Sequence, residues 1–348
     1  MGLSGNGNPP VLVRVTRGGL TESRHRGSIT VVNTSGSVIK SIGDPEESVF
    51  LRSAAKPIQT LPVIETGAAD RFGLTPAEIA VMCGSLNGQD FQVAAVSSIL
   101  DKIGLDASVL DCGIHRPSHR PTAQAMSRSG ESPTELHNNC AGKHAAMLVL
   151  CKHHDWAVEG YIESVHAVQK MILERVAEAT EVAVEDIGLG LDGCGVPVFA
   201  LPLKNLAYAY ARLAGAMPAK GRKEASRNDS MGRLMSTMLD HPEMIAGDGR
   251  ICTEVMRAGR NKFLAKTGAE GTYCLALPGL GLGVALSIED GYARAVNPSV
   301  VEILIQLGQL ETGREKGIAS FHRPTVKNHR GDEVGFLEAV FDLSDVKV

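Results

Sequence analysis

A serine and a lysine stand three residues apart in Ser53-Ala54-Ala55-Lys56-Pro57. Pro57 lacks a backbone N–H and is costly deep inside a helix, so the stretch predicts a helix that begins near Ser53. On that helix Ser53 and Lys56 share a face. Ser53 would sit where the first N–H groups point outward. Such donors can hold a developing oxyanion, at roughly 3 kcal/mol each. The positive helix end also disfavours a charged Lys56, and a lysine with a lowered pKa can take the proton of a serine hydroxyl. The chemistry open to the pair is nucleophilic attack on a carbonyl. The plainer reading of the same four residues is a helix cap beside a surface lysine.

Two later stretches extend the pattern. Ser85-Leu86-Asn87 lies in the glycine-bounded loop Cys83 to Gly88, and Lys266-Thr267-Gly268 ends a predicted strand. The order S-x-x-K, S-x-N, K-T-G resembles the signature set of serine β-lactamases and penicillin-binding proteins. Physically it supplies a nucleophile, a base, a second Ser–Lys relay and a strand edge for substrate. Each stretch alone reads as an ordinary turn or strand end. Ser85 follows Ser53 closely and Lys266 lies far downstream, a spacing that speaks against β-lactam chemistry and leaves a fold relation open.

A second constellation carries sulfur. Asn138-Asn139-Cys140-Ala141-Gly142-Lys143-His144 precedes a helix, and Leu191-Asp192-Gly193-Cys194-Gly195-Val196-Pro197 is a loop at the end of an apolar strand. Cysteines flanked by glycines suit a metal or a close backbone approach. Chemistry alone nominates Cys140, Cys194 and His144 as ligands. The C-x-x-C pairs of a structural zinc site are absent, so two buried structural cysteines are the competing reading.

These residues need a scaffold, and the chain supplies one. Its 348 residues are 43% hydrophobic and 21% charged, a globular composition. A net charge of −4 and 4% aromatic residues argue against nucleic-acid binding. Seven scattered cysteines fit a reducing cytoplasm. The first twenty residues hold no apolar core of signal-peptide length, and no apolar run approaches a bilayer span, so no membrane association is expected. Strands are predicted at Val11 to Val15, Ser28 to Val32 and Val38 to Ile42, with a hairpin turn at Asn33-Thr34-Ser35-Gly36. Thr75-Pro76-Ala77-Glu78 is a capping box that starts a helix. Asp90 to Ile103 is an amphipathic helix closed by Gly104. Arg116 to Pro121 reads as a loop. Ala141 to Lys152, Tyr161 to Thr180, Leu203 to Leu213 and Gly232 to Leu239 read as helices. Lys262 to Lys266, Tyr273 to Leu277 and Gly283 to Ile288 read as strands. Val300 to Leu310 reads as a helix, and Gly335 to Phe341 as either a strand or a helix. The pattern implies an α+β (mixed α/β) fold with a central, mostly antiparallel sheet flanked by helices. Residues 1–348 form one catalytic domain in this reading. Its sheet comes from the N- and C-terminal segments, with a helical insert over roughly 53–260.

Five motifs together identify a resemblance. Arg52-Ser53-x-x-Lys56-Pro57-x-Gln59, Cys83-x-Ser85-x-Asn87-Gly88, Asn138-Asn139-Cys140-x-Gly142-Lys143-His144, Asp192-Gly193-Cys194-Gly195-x-Pro197 and Gly268-Ala269-Glu270-Gly271 resemble the asparaginase II family. Its members are the class 3, rhizobial-type L-asparaginases. Glu22-x-x-His25-Arg26-Gly27 and the segment from His241-Pro242-Glu243 to Glu254 resemble it too, so the likeness runs from about residue 10 to 345. The resemblance implies a fold related to serine β-lactamases, DD-peptidases and glutaminases. It implies hydrolysis of L-asparagine to L-aspartate and ammonia, by a homodimer. Ser53 and Lys56 would be the catalytic pair, with Ser85 and Lys266 as a second relay. Zinc would be held by Cys140, Lys143 and Cys194, in place of the His144 ligand that chemistry alone nominates. Arg52, Asn87, His144, Asp192 and Cys252 would line the substrate. Leu86, Gln89 and Ser287 depart from residues frequent in the family, which bears on side-chain specificity.

Two classes of function stay open. One is an amidohydrolase, with a glutaminase or another serine amidohydrolase of the same fold as the nearest alternative. The other is a non-catalytic protein that binds a small amino acid. Retention of both serines and both lysines favours the enzyme, since a sensor needs neither pair.

Overall fold

The computed structural model describes residues 8–217, 229–311 and 317–343; the first seven residues, on which the expectation of no leader partly rests, lie outside it. In chain order the elements are β1 (Val11–Arg17), β2 (Leu20–Asn33), β3 (Val38–Ile42), β4 (Ser48–Phe50), α1 (Lys56–Glu65), α2 (Ala68–Arg71), α3 (Pro76–Met82), α4 (Asp90–Lys102), α5 (Arg120–Ser129), α6 (Ala141–His153) and α7 (Ala167–Thr180). They continue with β5 (Gly188–Leu191), β6 (Pro197–Pro202), α8 (Leu203–Gly215), α9 (Ser230–Asp240), α10 (Pro242–Ala246), α11 (Ile251–Ala258), β7 (Leu264–Thr267), β8 (Tyr273–Leu277), β9 (Leu282–Ile288), α12 (Val296–Gln306), α13 (Ala319–His322), β10 (Thr325–Lys327) and β11 (Glu333–Ala339). The architecture is mixed α/β with an antiparallel sheet. The chain divides into two compact units: residues 1–51, 201–215 and 254–348 in one, residues 52–200 and 216–253 in the other.

The first unit is built on a sheet of order β10-β11-β1-β2-β9-β8-β7, with β3 also paired to β2. Residues 20–26 of β2 pair with β1 and residues 27–33 with β9, both antiparallel. The β2–β3 hairpin turns at Asn33, whose side-chain oxygen accepts the N–H groups of Ser35 and Ser37. Helix α8 packs on β2, β8 and β9, and α12 on β1 and β11. Gly335 to Phe341, open between strand and helix in sequence, forms the strand β11 because β1 offers it an antiparallel partner at Val13↔Ala339. The motif around Glu22 and Gly27 has a structural role here. Buried His25 donates from Nδ1 to Asp290 (2.7 Å) and accepts the Arg294 Nε–H (2.9 Å) at Nε2.

The second unit is helical apart from the β5–β6 hairpin. Its centre is α6, every residue of which from Ala141 to Cys151 is buried. Helices α1, α3 and α4 pack around it. A helix covered on all sides normally carries only apolar residues, and any polar side chain on it must find an internal partner. Lys143 and His144 are such residues, and their partners define the site below.

Helix α3 starts as the sequence requires. Thr75 Oγ1 accepts the Glu78 N–H at 3.3 Å, and the Glu78 carboxylate accepts the Thr75 N–H at 2.6 Å. Glu78 also pairs with Lys102 (2.6 Å) and accepts the Ser98 hydroxyl (2.7 Å). Burial pushes the Glu78 pKa up, but Lys102 and the cap hydrogen bonds outweigh it and hold the carboxyl below its ordinary value. A depressed folded pKa stabilises the protein above the unfolded value of about 4.3, and that contribution disappears as pH falls through the folded value. Glu78→Gln is therefore expected to cost about 1 kcal/mol near pH 7, the worth of a good cap. The deficit should shrink below pH 4 in urea melts. An equal deficit at both pH values would show that the carboxylate charge is not what matters.

Candidate active site

All residues discussed together in this subsection belong to the helical unit unless stated. A 3-10 turn over Arg52–Ala55 leads into α1, so the α-helix starts at Lys56 and not at Ser53. Pro57 sits in the first helical turn, where a missing N–H costs nothing. Ser53 lies on the 3-10 turn and is partly exposed, three residues ahead of the fully buried Lys56. Arg52, just before the serine, takes a left-handed φ of 47°, unusual for a residue with a Cβ.

Lys56 ties two loops together. Its ammonium donates to Gly84 O and Asn139 O, both at 2.8 Å, and reaches Ser85 Oγ at 3.4 Å. The loops meet because α6 comes very close to the end of α3: a Cβ on Gly142 would fall 2.1 Å from Val81 O. Only glycine permits that approach. Backbone bonds from Ser85 N to Ile245 O (2.7 Å) and from Leu86 N to Asn139 O (3.1 Å) fix the Ser85 loop. Burial lowers the Lys56 pKa; Cys140 and Cys194 pull it up, and Lys143 pushes it further down.

The sulfur residues converge on one point. The β5–β6 turn is closed by Asp192 N to Val196 O and Gly195 N to Asp192 O, both 2.9 Å. It brings Cys194 and Asp192 beside Cys140, which caps α6. The Cys140 and Cys194 sulfurs and an Asp192 carboxylate oxygen lie within 4.8 Å of one another. Asp192 is the hub. One oxygen accepts Arg52 Nε and Gly193 N, each at 3.0 Å, and the other accepts Lys143 Nζ at 3.1 Å and the Cys194 thiol at 3.6 Å. Burial works against the Asp192 charge, but the Lys143 ammonium, the Gly193 N–H and the Arg52 guanidinium hold its carboxyl well below the ordinary range. The neighbouring Cys194 thiol, with Lys143 and Lys56 nearby, favours the thiolate form of Cys140. The same contact pushes the Cys194 thiol up.

The remaining expected residues are placed as follows. Asn87 is 1% exposed; its amide Nδ2 donates to Gln89 Oε1 at 3.0 Å and meets Asp248 O at 3.5 Å, and among the described residues its Oδ1 has no hydrogen-bond partner. Gly247, at φ 86°, makes room for it, since a Cβ there would fall 2.2 Å from the Asn87 amide. Gln89 accepts from Asp248 N and donates to the Asp248 carboxylate, a pairing that a carboxylate at 89 could not make. His144 is fully buried; burial, with Lys143 and Lys56, puts its pKa well below the ordinary value, so it is neutral. Among the described residues it is not one of the donors that converge with Cys140, Asp192 and Cys194, and its Nδ1 bonds the Tyr161 hydroxyl at 2.6 Å. Cys252 is buried on α11. Lys266 belongs to the sheet unit, where it is fully buried on β7 and donates to Thr267 O at 2.9 Å.

Sequence reasoning missed Tyr161 and Asp111. Tyr161 fell inside a predicted helix from Tyr161 to Thr180, but α7 begins only at Ala167, capped by His166 Nδ1 on the Val168 N–H. No local signal marks a tyrosine whose partners lie 17 and 50 residues away. The two thiols and the carboxylate converge closely enough to hold a metal ion, while Lys143 is an ammonium ion-paired with Asp192. Of the two serines, Ser85 is the one whose hydroxyl lies within reach of the Lys56 amine, at 3.4 Å.

Comparison with known proteins gives the following. The family model described as L-asparaginase II matches residues 13–339. No curated protein matches the chain. A candidate beta-lactamase from Bacteroides dorei DSM 17855 shares 12% identity over 80% of this chain and 93% of its own, with a TM-score of 0.40. A Bacillus glutaminase shares 14% over 82% and 92%, with a TM-score of 0.37. The protein named Mglu shares 15% over 84% of this chain, which spans 63% of that one, with a TM-score of 0.36. Among the described residues no helix is long and apolar enough to cross a membrane.

Proposed function

The chain belongs to the L-asparaginase II family and is an amidohydrolase; from that premise we propose that it hydrolyses the side-chain amide of L-asparagine to L-aspartate and ammonia, with Ser53 as nucleophile and Lys56 as base. The observation that carries the reading is Lys56. A fully buried lysine with a lowered pKa, one turn from a partly exposed serine and 3.4 Å from a second serine hydroxyl, is built to move protons.

In this mechanism the Ser53 oxygen attacks the side-chain amide carbon as its proton passes to Lys56. The tetrahedral intermediate collapses, the C–N bond breaks, and a proton delivered to the departing nitrogen releases ammonia. Ser85, in contact with Lys56, lies on that proton route. Water then attacks the acyl-enzyme, and Ser53 recovers its proton as L-aspartate leaves. Asp192, held ionised, suits the substrate ammonium, and Arg52 suits a carboxylate. Lys266 enters through the K-T-G motif and the family resemblance; Lys266→Ala tests its share in kcat.

Cys140, Cys194 and Lys143 are proposed to hold zinc, with the Asp192 carboxylate alongside. Bound there, the metal would supply a Lewis-acidic centre that orients the substrate. Lys143 would have to surrender its proton to ligate, and its ion pair with Asp192 shows where that proton is stabilised. The same family reading carries a homodimer, which sedimentation velocity tests, and the scattered cysteines suit a reducing cytoplasm.

The decisive experiment is ammonia release from a panel of L-asparagine, L-glutamine and simple esters. Turnover of L-asparagine above the others supports the proposal. Faster release from L-glutamine would make the protein a glutaminase. No turnover of any, together with L-aspartate binding, would make it a binding protein.

A further inference from the structure

We propose that Tyr161 is a positioning residue for this site: it holds His144 in the tautomer that carries its proton on Nε2, so that His144 presents a fixed N–H donor to a carboxylate oxygen of the bound amino acid. The inference rests on the reading that the site takes an amino acid, and it adds a residue that no motif in the sequence contains.

The argument is an account of protons. The Tyr161 hydroxyl has one proton and two lone pairs. Among the described residues it meets two groups: the Asp111 backbone N–H, 2.9 Å away, and His144 Nδ1, 2.6 Å away. The Asp111 N–H can only donate, so it takes one lone pair. The phenolic proton then has Nδ1 as its acceptor, and the imidazole proton belongs on Nε2. In the opposite arrangement, Nδ1–H would donate to the phenol oxygen. That leaves both the phenolic proton and the Nε2 lone pair without partners in a buried place. The first arrangement leaves one unsatisfied group, the Nε2–H. His144 is fully buried, and among the described residues its Nε2 has no partner. An unsatisfied buried donor on a central helix calls for an explanation, and a ligand acceptor is the direct one.

Tyr161 is itself held in place. It is 2% exposed, its ring meets the imidazole edge-on with centroids 5.5 Å apart, and its carbonyl accepts the Gln169 amide at 2.8 Å. The orientation of His144 is thus set before any ligand arrives, as for ligating and substrate-binding histidines generally. The Lys143 and Lys56 charges act on the same imidazole. A fixed N–H donor suits an anionic oxygen of the bound amino acid, whereas Asp192 suits the ammonium of the same zwitterion.

The test is two-bond 1H–15N correlation on the full chain labelled with 15N-histidine, with His144 identified by loss of its signals in His144→Gln. The expected wild-type pattern is a protonated Nε2 and a bare, hydrogen-bonded Nδ1, with the Nε2 signals moving on addition of L-aspartate. Tyr161→Phe keeps the ring and removes the hydroxyl. It should abolish the pure Nε2–H pattern and raise KM for L-asparagine about tenfold, while kcat changes by about twofold or less, as for loss of a ground-state contact. A purely structural role for Tyr161 would lower the melting temperature without changing the tautomer. A protonated Nδ1 in the wild type, an Nε2 signal indifferent to L-aspartate, or an unchanged tautomer in Tyr161→Phe overturns the proposal. The wild-type spectra need neither turnover nor the variant. Absence of ammonia release from L-asparagine would therefore overturn the proposed reaction and leave the tautomer to be decided by the spectra.

Discussion

Ser53→Ala is expected to lower ammonia release from L-asparagine by about a thousandfold or more, as removal of the nucleophile does in other acyl-transfer enzymes. The fold should survive. Ser53 lies on a partly exposed 3-10 turn, and losing a hydroxyl at a helix start costs at most about 2 kcal/mol. Loss of rate with retained circular dichroism and L-aspartate binding would separate chemistry from structure. Lys56→Ala should be nearly as slow but less stable. Its ammonium satisfies Gly84 O and Asn139 O, and each buried acceptor left bare costs about 1–3 kcal/mol. Lys56→Met, which fills the same volume, tells the two losses apart: packing is restored and proton transfer is not. If Ser53→Ala kept more than a few per cent of wild-type turnover, the acyl-enzyme mechanism would be wrong, and Ser85, in contact with Lys56, would be the next serine to test.

The second large effect concerns the metal. The purified protein is expected to carry about one zinc per chain, and Cys194→Ala or Cys140→Ala should reduce that to near zero by elemental analysis. The donor atoms Cys140 Sγ, Cys194 Sγ and an Asp192 oxygen already lie within 4.8 Å of one another. Two Zn–S bonds of about 2.3 Å span at most about 4.6 Å, so little movement is needed. X-ray absorption should report sulfur at about 2.3 Å. Chelation should raise KM for L-asparagine more than it lowers kcat, because Ser53 and Lys56 supply the nucleophilic chemistry and the cluster around Asp192 supplies substrate contacts. A fall in kcat at constant KM would instead give the metal a part in the chemical step. Unchanged zinc content in both cysteine variants would remove the site altogether.

The amino-acid sequence alone determined much of this. Chemistry-bearing residues stood in short motifs whose spacing was informative by itself, such as Ser53 to Lys56 and Asp192 to Cys194. Local rules also settled elements: Thr75, Pro76 and Glu78 started α3, Asn33 to Gly36 turned the β2–β3 hairpin, and Gly104 ended α4. Those features depend on residues a few positions apart, where backbone geometry leaves few choices. Helix boundaries were less legible where proline intervened. Pro121 and the nearby histidines suggested a loop, yet His119 caps α5 with Pro121 in its first turn and Gly130 closes it at φ 76°. Helix α12 begins at Val296, not Val300, since Pro298 falls in the first turn, where its missing N–H is harmless.

Only the tertiary structure decided what the side chains do. Lys56 could have faced solvent; burial beneath two loops gave it Gly84, Asn139 and Ser85 as partners. Asp192 became the hub of Arg52, Lys143 and Cys194 because the β5–β6 turn lies beside the start of α6. His144, nominated as a metal ligand by chemistry alone, lies outside the convergent donors and bonds Tyr161 through Nδ1. The physical reason is common to all three. A polar group forced inside a packed interior must be satisfied there, and which groups satisfy it depends on elements that meet in space from distant parts of the chain.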